Sequence, residues 1–108
     1  MNGLRIEAIL RELQNIVTMY GVSQWIEPLE QIHRVFEDRY WSGTRRGKEV
    51  ALQEASRVFG GMGSLRDLII TAAAGNRIRP EDEYEVNARL SILLDELYEL
   101  IKQEKAKL

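Results

Sequence analysis

The chain has 108 residues, 44% apolar and 30% charged, with 15 Lys and Arg against 17 Asp and Glu, one histidine and no cysteine. That length suits a single domain with one core, and a net charge of −2 gives no global basic field for nucleic acid or anionic lipid. The missing cysteines exclude disulfides, thiolate zinc sites and thiol catalysis. Met1 to Glu7 lack the basic-then-apolar pattern of a secretion signal, and no apolar run approaches the roughly 18–20 residues that span a bilayer. The expectation is therefore a cytoplasmic protein with no membrane partner.

In chain order, Ile6, Ile9, Leu10, Leu13, Ile16, Val17 and Tyr20 form the i, i+3, i+4, i+7 stripe of an amphipathic helix, which Gly21 can stop in a left-handed conformation. Trp25, Leu29, Ile32, Phe36 and Tyr40 mark a second helix, capped by Ser23 or, placing Pro28 at the first helical position, by Glu27. Ser42-Gly43-Thr44 reads as a turn. A third helix is predicted from Lys48 to Val58, with Ala51, Leu52, Ala55, Val58 and Phe59 inward and Gly60 or Gly61 ending it. Ser64-Leu65-Arg66-Asp67 is a variant capping box before Leu68-Ile69-Ile70, so a short buried helix or an irregular core segment should precede the turn at Gly75-Asn76. Pro80 then opens the last helix, with Glu81, Asp82 and Glu83 where the helix dipole favours negative charge. Tyr84, Leu90, Leu93, Leu94, Leu97, Leu100 and Ile101 carry it forward, with fraying expected over 102–108.

The fold class that follows is all-α: a compact, four-helix bundle-like single domain over 1–108. A Gly-rich loop and a short extra helical segment come before the C-terminal helix.

The loop Phe59, Gly60, Gly61, Met62, Gly63, Ser64 with Asp67 lacks the lysine and hydroxyl spacing of a phosphate loop, and reads as a structural reversal. His33 is the single histidine, with Glu30 and Glu37 beside it at i−3 and i+4. One imidazole with no clustered partners reads as a structural or surface residue, so no metal and no cofactor are expected. No nucleophile, base and orienting group can be assembled, which argues for a non-enzyme. Arg45, Arg46 and Lys48 after Tyr40 and Trp41 form a basic-aromatic cluster, too small in an acidic chain to favour nucleic acid. It suits a protein-binding edge, since Trp, Tyr and Arg dominate interface hot spots.

The strings FGGMGSLRDLII at 59–70, Gly75-Asn76, and EVNARLSILLDELYELI at 85–101 resemble a family of small bacterial helical domains of unknown function. Phe59, Gly60, Gly61, Met62, Gly63, Ser64, Asp67, Leu68, Asn87, Leu90, Leu97 and Tyr98 carry the resemblance. Arg66 departs from it, standing where a small polar residue such as asparagine is usual. Members look like the immunity or antitoxin proteins that bacteria make beside secreted toxins. The resemblance carries no established activity, and implies a small cytosolic protein that neutralises a cognate toxin by direct binding.

Two surfaces are the candidates for partner contact: Tyr40, Trp41, Arg45 and Arg46, and the acidic residues Glu81, Asp82, Glu83 and Glu85. One competing reading is a homo-oligomer, such as a homodimer, joined through Leu90, Leu94, Leu97 and Ile101. Another is an anion or nucleotide binder at Gly60–Ser64.

Overall fold

Apolar periodicity dictates the architecture. In the computed structural model, which describes residues 2–60 and 64–108, α1 spans Asn2–Met19, α2 Ser23–Tyr40, α3 Arg45–Ala55 and α4 Glu83–Ala106, with no β-strand among the described residues. The fold is all-α, as the pattern predicts. Ile6, Ile9, Leu10, Leu13 and Val17 of α1 meet Leu29, Ile32 and Phe36 of α2, Leu52 of α3, and Leu90, Leu93 and Leu97 of α4 in one core.

α1 ends as its glycine predicts. Gly21 sits at φ +67°, its N–H donates to Thr18 O at 3.3 Å, and Val22 N–H donates to Val17 O at 2.8 Å. This paired closure satisfies two carbonyls the helix end would otherwise strand. The same reversal places Val22, fully buried, as the N-cap of α2, so neither Ser23 nor Glu27 caps it. Pro28 lies inside α2, where its missing N–H removes one bond of the helical ladder.

α3 starts three residues earlier than its apolar stripe suggests. Thr44 is the cap, its hydroxyl accepting from Gly47 N–H at 2.9 Å, so Arg45 and Arg46 form the first helical turn. Gly47 is buried because the ends of α2 and α3 touch there. A Cβ at this position would lie 2.5 Å from the backbone oxygen of Arg39.

After α3 the chain tightens into a 3-10 turn, Ser56–Phe59, that Gly60 leaves in an extended conformation at φ −96°, not the left-handed one a glycine stop implies. Gly61, Met62 and Gly63 lie outside the described residues. Leu65–Asp67 form a second 3-10 turn, and Leu68 to Ile70 run as irregular chain, the second of the two arrangements expected there. Gly75 turns at φ +89°, and Arg77 N–H donates to Tyr20 O at 2.9 Å, tying this connection to the end of α1.

α4 follows Pro80–Asp82, a 3-10 turn, and runs antiparallel to α1. Two forked ion pairs join them: Arg5 to Glu96 at 2.6 and 2.7 Å, and Arg89 to Glu12 at 2.7 and 2.9 Å. The fraying expected over 102–108 is replaced by helix through Ala106, because Ile101 is buried and Leu108 packs on the core. Glu104 is held there by Tyr40, Asn2 and Lys107. No helix among the described residues is long and apolar enough to cross a membrane.

Candidate docking surface

One side chain organises the segment between the glycine-rich loop and α4. Asn87 is placed by α4 against the extended chain at Ile70. Its Oδ1 accepts from Ile70 N–H, and its Nδ2 donates to Ile70 O and Glu83 O, all at 2.8 Å. The amide thus supplies Ile70 with the donor and acceptor that a neighbouring strand would provide, which lets a β-prone residue stay extended and fully buried in an all-α fold. Thr71 N–H donates to Asn76 Oδ1 at 3.1 Å, and Ala72 N–H to Glu83 Oε2 at 3.0 Å. Polar contacts thus hold the segment in addition to the burial of Leu65, Ile70 and Ile78 in the core.

Ile70 points into the core while its neighbour Ile69 faces outward. Ile69 is 67% exposed and Tyr84, on the first turn of α4, is 84% exposed. With Thr71, Glu83, Asn87 and Ala88 they line a shallow groove of about 400 Å³. An exposed tyrosine beside a second exposed apolar side chain is the kind of anchor that interfaces use.

Of the four acidic residues expected at this end, Glu83 lines the groove and Glu85 faces the neighbouring cleft beside Val86 and Arg89, so they do not form one free cluster. Arg79 reaches Asp82 at 2.8 Å and Glu81 at 3.8 Å, and Glu83 accepts from the Ala72 amide. Glu85 is exposed, with no arginine or lysine within 4.0 Å among the described residues. Ile69 and the groove were not singled out from sequence as contact residues. The signal was Asn87 itself, a polar side chain one turn before Leu90 on the inward stripe of α4.

The second expected surface lies at the other end of the molecule. Tyr40 and Tyr84 are separated by most of the length of α4, about 30 Å at 1.5 Å per residue between Tyr84 and the Tyr40 partner Glu104. Tyr40 is corrected from contact residue to core residue. It is 4% exposed, stacks on Phe36 at 5.0 Å, lies against Gly3, and donates its hydroxyl proton to Glu104. Burial, helped by that hydrogen bond, pushes the phenol up to about 12. Burial alone would raise the Glu104 carboxyl, but hydrogen bonds from Tyr40, Lys107 and Asn2 outweigh it and hold Glu104 below its ordinary range. Trp41 is 42% exposed and meets Tyr40 edge-on at 4.9 Å. Arg45 and Arg46 are exposed, yet both turn back to Glu49, at 3.5 and 3.3 Å.

At the glycine-rich loop, Phe59 packs edge-on against Tyr98 at 5.5 Å, and the Arg66 guanidinium lies 5.4 Å over Phe59 while pairing with Asp95 at 2.8 Å. Ser64 is buried and donates to Asp67 Oδ2 at 3.3 Å, a side-chain pair in place of the expected backbone cap. Gly60 is exposed with open space where a Cβ would be. Leu90, Leu94, Leu97 and Ile101, expected as a seam between chains, are at most 5% exposed within this chain, so its own core occupies that face.

Residues 20–79 match a family described as a domain of unknown function, DUF6966, and because that span exceeds half of the chain, the chain belongs to this family. No curated protein and no solved structure matches it. The match takes in the glycine-rich loop and Ile69, and it ends at Arg79, before α4 begins.

Proposed function

We propose that this is a small protein-binding domain without catalytic activity, and that it engages its partner through Ile69 and Tyr84 at the start of α4. The observation that carries the reading is the pairing of these two highly exposed side chains on a backbone fixed by Asn87. An anchor already held in place loses little freedom on association, which favours affinity. Glu83 lines the groove, and Glu81, Asp82 and Glu85 beside it in the chain add negative charge to the start of α4, which favours a partner with a basic face, where complementary charge raises the rate of encounter.

In its most concrete form the protein is a cytoplasmic bacterial immunity protein that binds and neutralises a cognate toxin. A toxin with a basic substrate cleft fits the acidic start of α4. A second copy of this chain is the competing partner for the same groove.

A photo-crosslinking amino acid at position 84, compared with one at the exposed position Gln53, tests the surface in the native host. The expected result is one discrete crosslinked protein from position 84, lost on Ile69→Asp, whose toxicity when expressed alone is relieved by this chain but not by its Ile69→Asp variant. Crosslinks no stronger at 84 than at 53 refute the surface. A self-crosslink, with light scattering showing a dimer, replaces the toxin with a second copy.

A further inference from the structure

We propose that Glu7, His33 and Glu37 bind one divalent transition-metal ion, Zn²⁺ by ligand chemistry, between α1 and α2. A ring nitrogen of His33 and one carboxylate oxygen from each glutamate lie within 4.8 Å of one another. His33 and Glu37 share a face of α2 at i, i+4, and Glu7 arrives from the facing α1, a placement no single-helix spacing could reveal.

The imidazole is prepared for this role. Gln14, two turns along α1 from Glu7, sets its Oε1 against His33 Nδ1. A carbonyl oxygen only accepts, so Nδ1 is the donor of this pair, and in the neutral imidazole that leaves Nε2 with its lone pair. Nε2 is buried with no hydrogen-bond partner, and it sits 3.8 Å from Glu37 Oε2. An outer amide that fixes the tautomer of a ligating histidine is a recurring part of metal sites.

Charge points the same way. Many carboxylates on this molecule have an arginine or lysine within 4.0 Å, such as Glu12, Glu30 and Glu96. Among the described residues Glu7 and Glu37 have neither, although they converge on one point. A cation there would relieve both the mutual repulsion and the orphaned nitrogen. Two donors each about 2.1 Å from one tetrahedral ion are about 3.4 Å apart, so 3.8 Å closes with a small rotation of the exposed Glu37 side chain. One imidazole with two carboxylates suits zinc and its neighbours better than calcium or magnesium, which favour all-oxygen shells. Three protein ligands leave at least one position for water.

The site stands apart from the docking groove, and its test is separate. Metal-stripped protein titrated with ZnCl₂ by calorimetry should bind one equivalent at micromolar affinity or tighter, with a melting temperature that rises with free Zn²⁺. Co²⁺ should give the visible absorption of a low-coordinate nitrogen–oxygen site. His33→Gln and Glu7→Gln should each weaken binding at least about tenfold, and Gln14→Leu about ten- to a hundredfold. Glu30→Gln, whose carboxylate pairs with Arg34, should leave binding unchanged. Should His33→Gln fail to fold, Glu37→Gln decides the matter, since that side chain is 60% exposed. No saturable one-to-one binding, or binding indifferent to the loss of Glu7 and Glu37, overturns the proposal.

Discussion

At the junction of α2 and α3, Tyr40 is 4% exposed and its hydroxyl is spent on Glu104. At the start of α4, Tyr84 is 84% exposed and nothing covers it among the described residues. Tyr40, the last residue of α2, lies beside the C-terminal end of α4, and Tyr84 lies at its start; both have charged neighbours in the sequence, yet they do opposite work. Tyr40 ends an apolar stripe and meets Gly3, so a close helix approach swallows its ring. Tyr84 precedes the inward stripe of α4, and its neighbours across the groove are held by polar clamps. An aromatic residue beside charge marks a contact surface only where no helix end closes over it.

Phe36→Ala should break the comparison most sharply. It removes the ring on which Tyr40 stacks and leaves a core cavity. The expected loss is about 3–5 kcal/mol by urea denaturation, with Tyr40 becoming accessible to iodination. Asn87→Ala comes next, since it strands a buried amide and carbonyl at Ile70. A loss of about 2–3 kcal/mol is expected, together with weaker partner binding, because the Ile69 anchor loses its support. Equal stability with Asn87 removed would mean that buried bulk, and not the clamp, orders that end.

Tyr40→Phe is a smaller change, about 1 kcal/mol, because Glu104 keeps Asn2 and Lys107. Its value lies in pH dependence. Tyr40 is raised from 10.0 to about 12 in the folded chain, so the folded state holds its proton more tightly than the unfolded state. Its contribution is complete below about pH 10 and disappears as pH rises through about 12, roughly 3 kcal/mol in all. A denaturation series across that range should fall for the native chain and flatten for Tyr40→Phe. Smallest of all on stability is Tyr84→Ala, expected within about 0.5 kcal/mol while it abolishes partner capture. That split between folding and binding is the property the exposed end should show and the buried end should not.

Much of the architecture could be read from the sequence wherever apolar spacing governed it. The stripes of α1, α2 and α4 and the left-handed stop at Gly21 are of this kind. Reading failed where a polar side chain, not a stripe, set the structure. The Thr44 cap draws Arg45 and Arg46 into α3 although basic residues suit that end poorly. Asn87 keeps Leu68 to Ile70 out of a helix. Of the groove residues Glu83 was visible as a candidate, but Ile69 was not, because its exposure depends on the direction Ile70 takes. His33 and Glu37 stood in view as an i, i+4 pair, and Glu7 could join them only through the packing of two helices.

The Asn87 clamp also has a kinetic consequence. Its amide bonds simultaneously to Ile70 and to Glu83, so the extended segment cannot dock until the first turn of α4 is wound, and that turn cannot unwind without releasing the segment. Amide protons at Ile70 and in the opening turns of α4 should therefore exchange with deuterium together, in one opening event. That event would be the slow step by which this end of the molecule is remodelled.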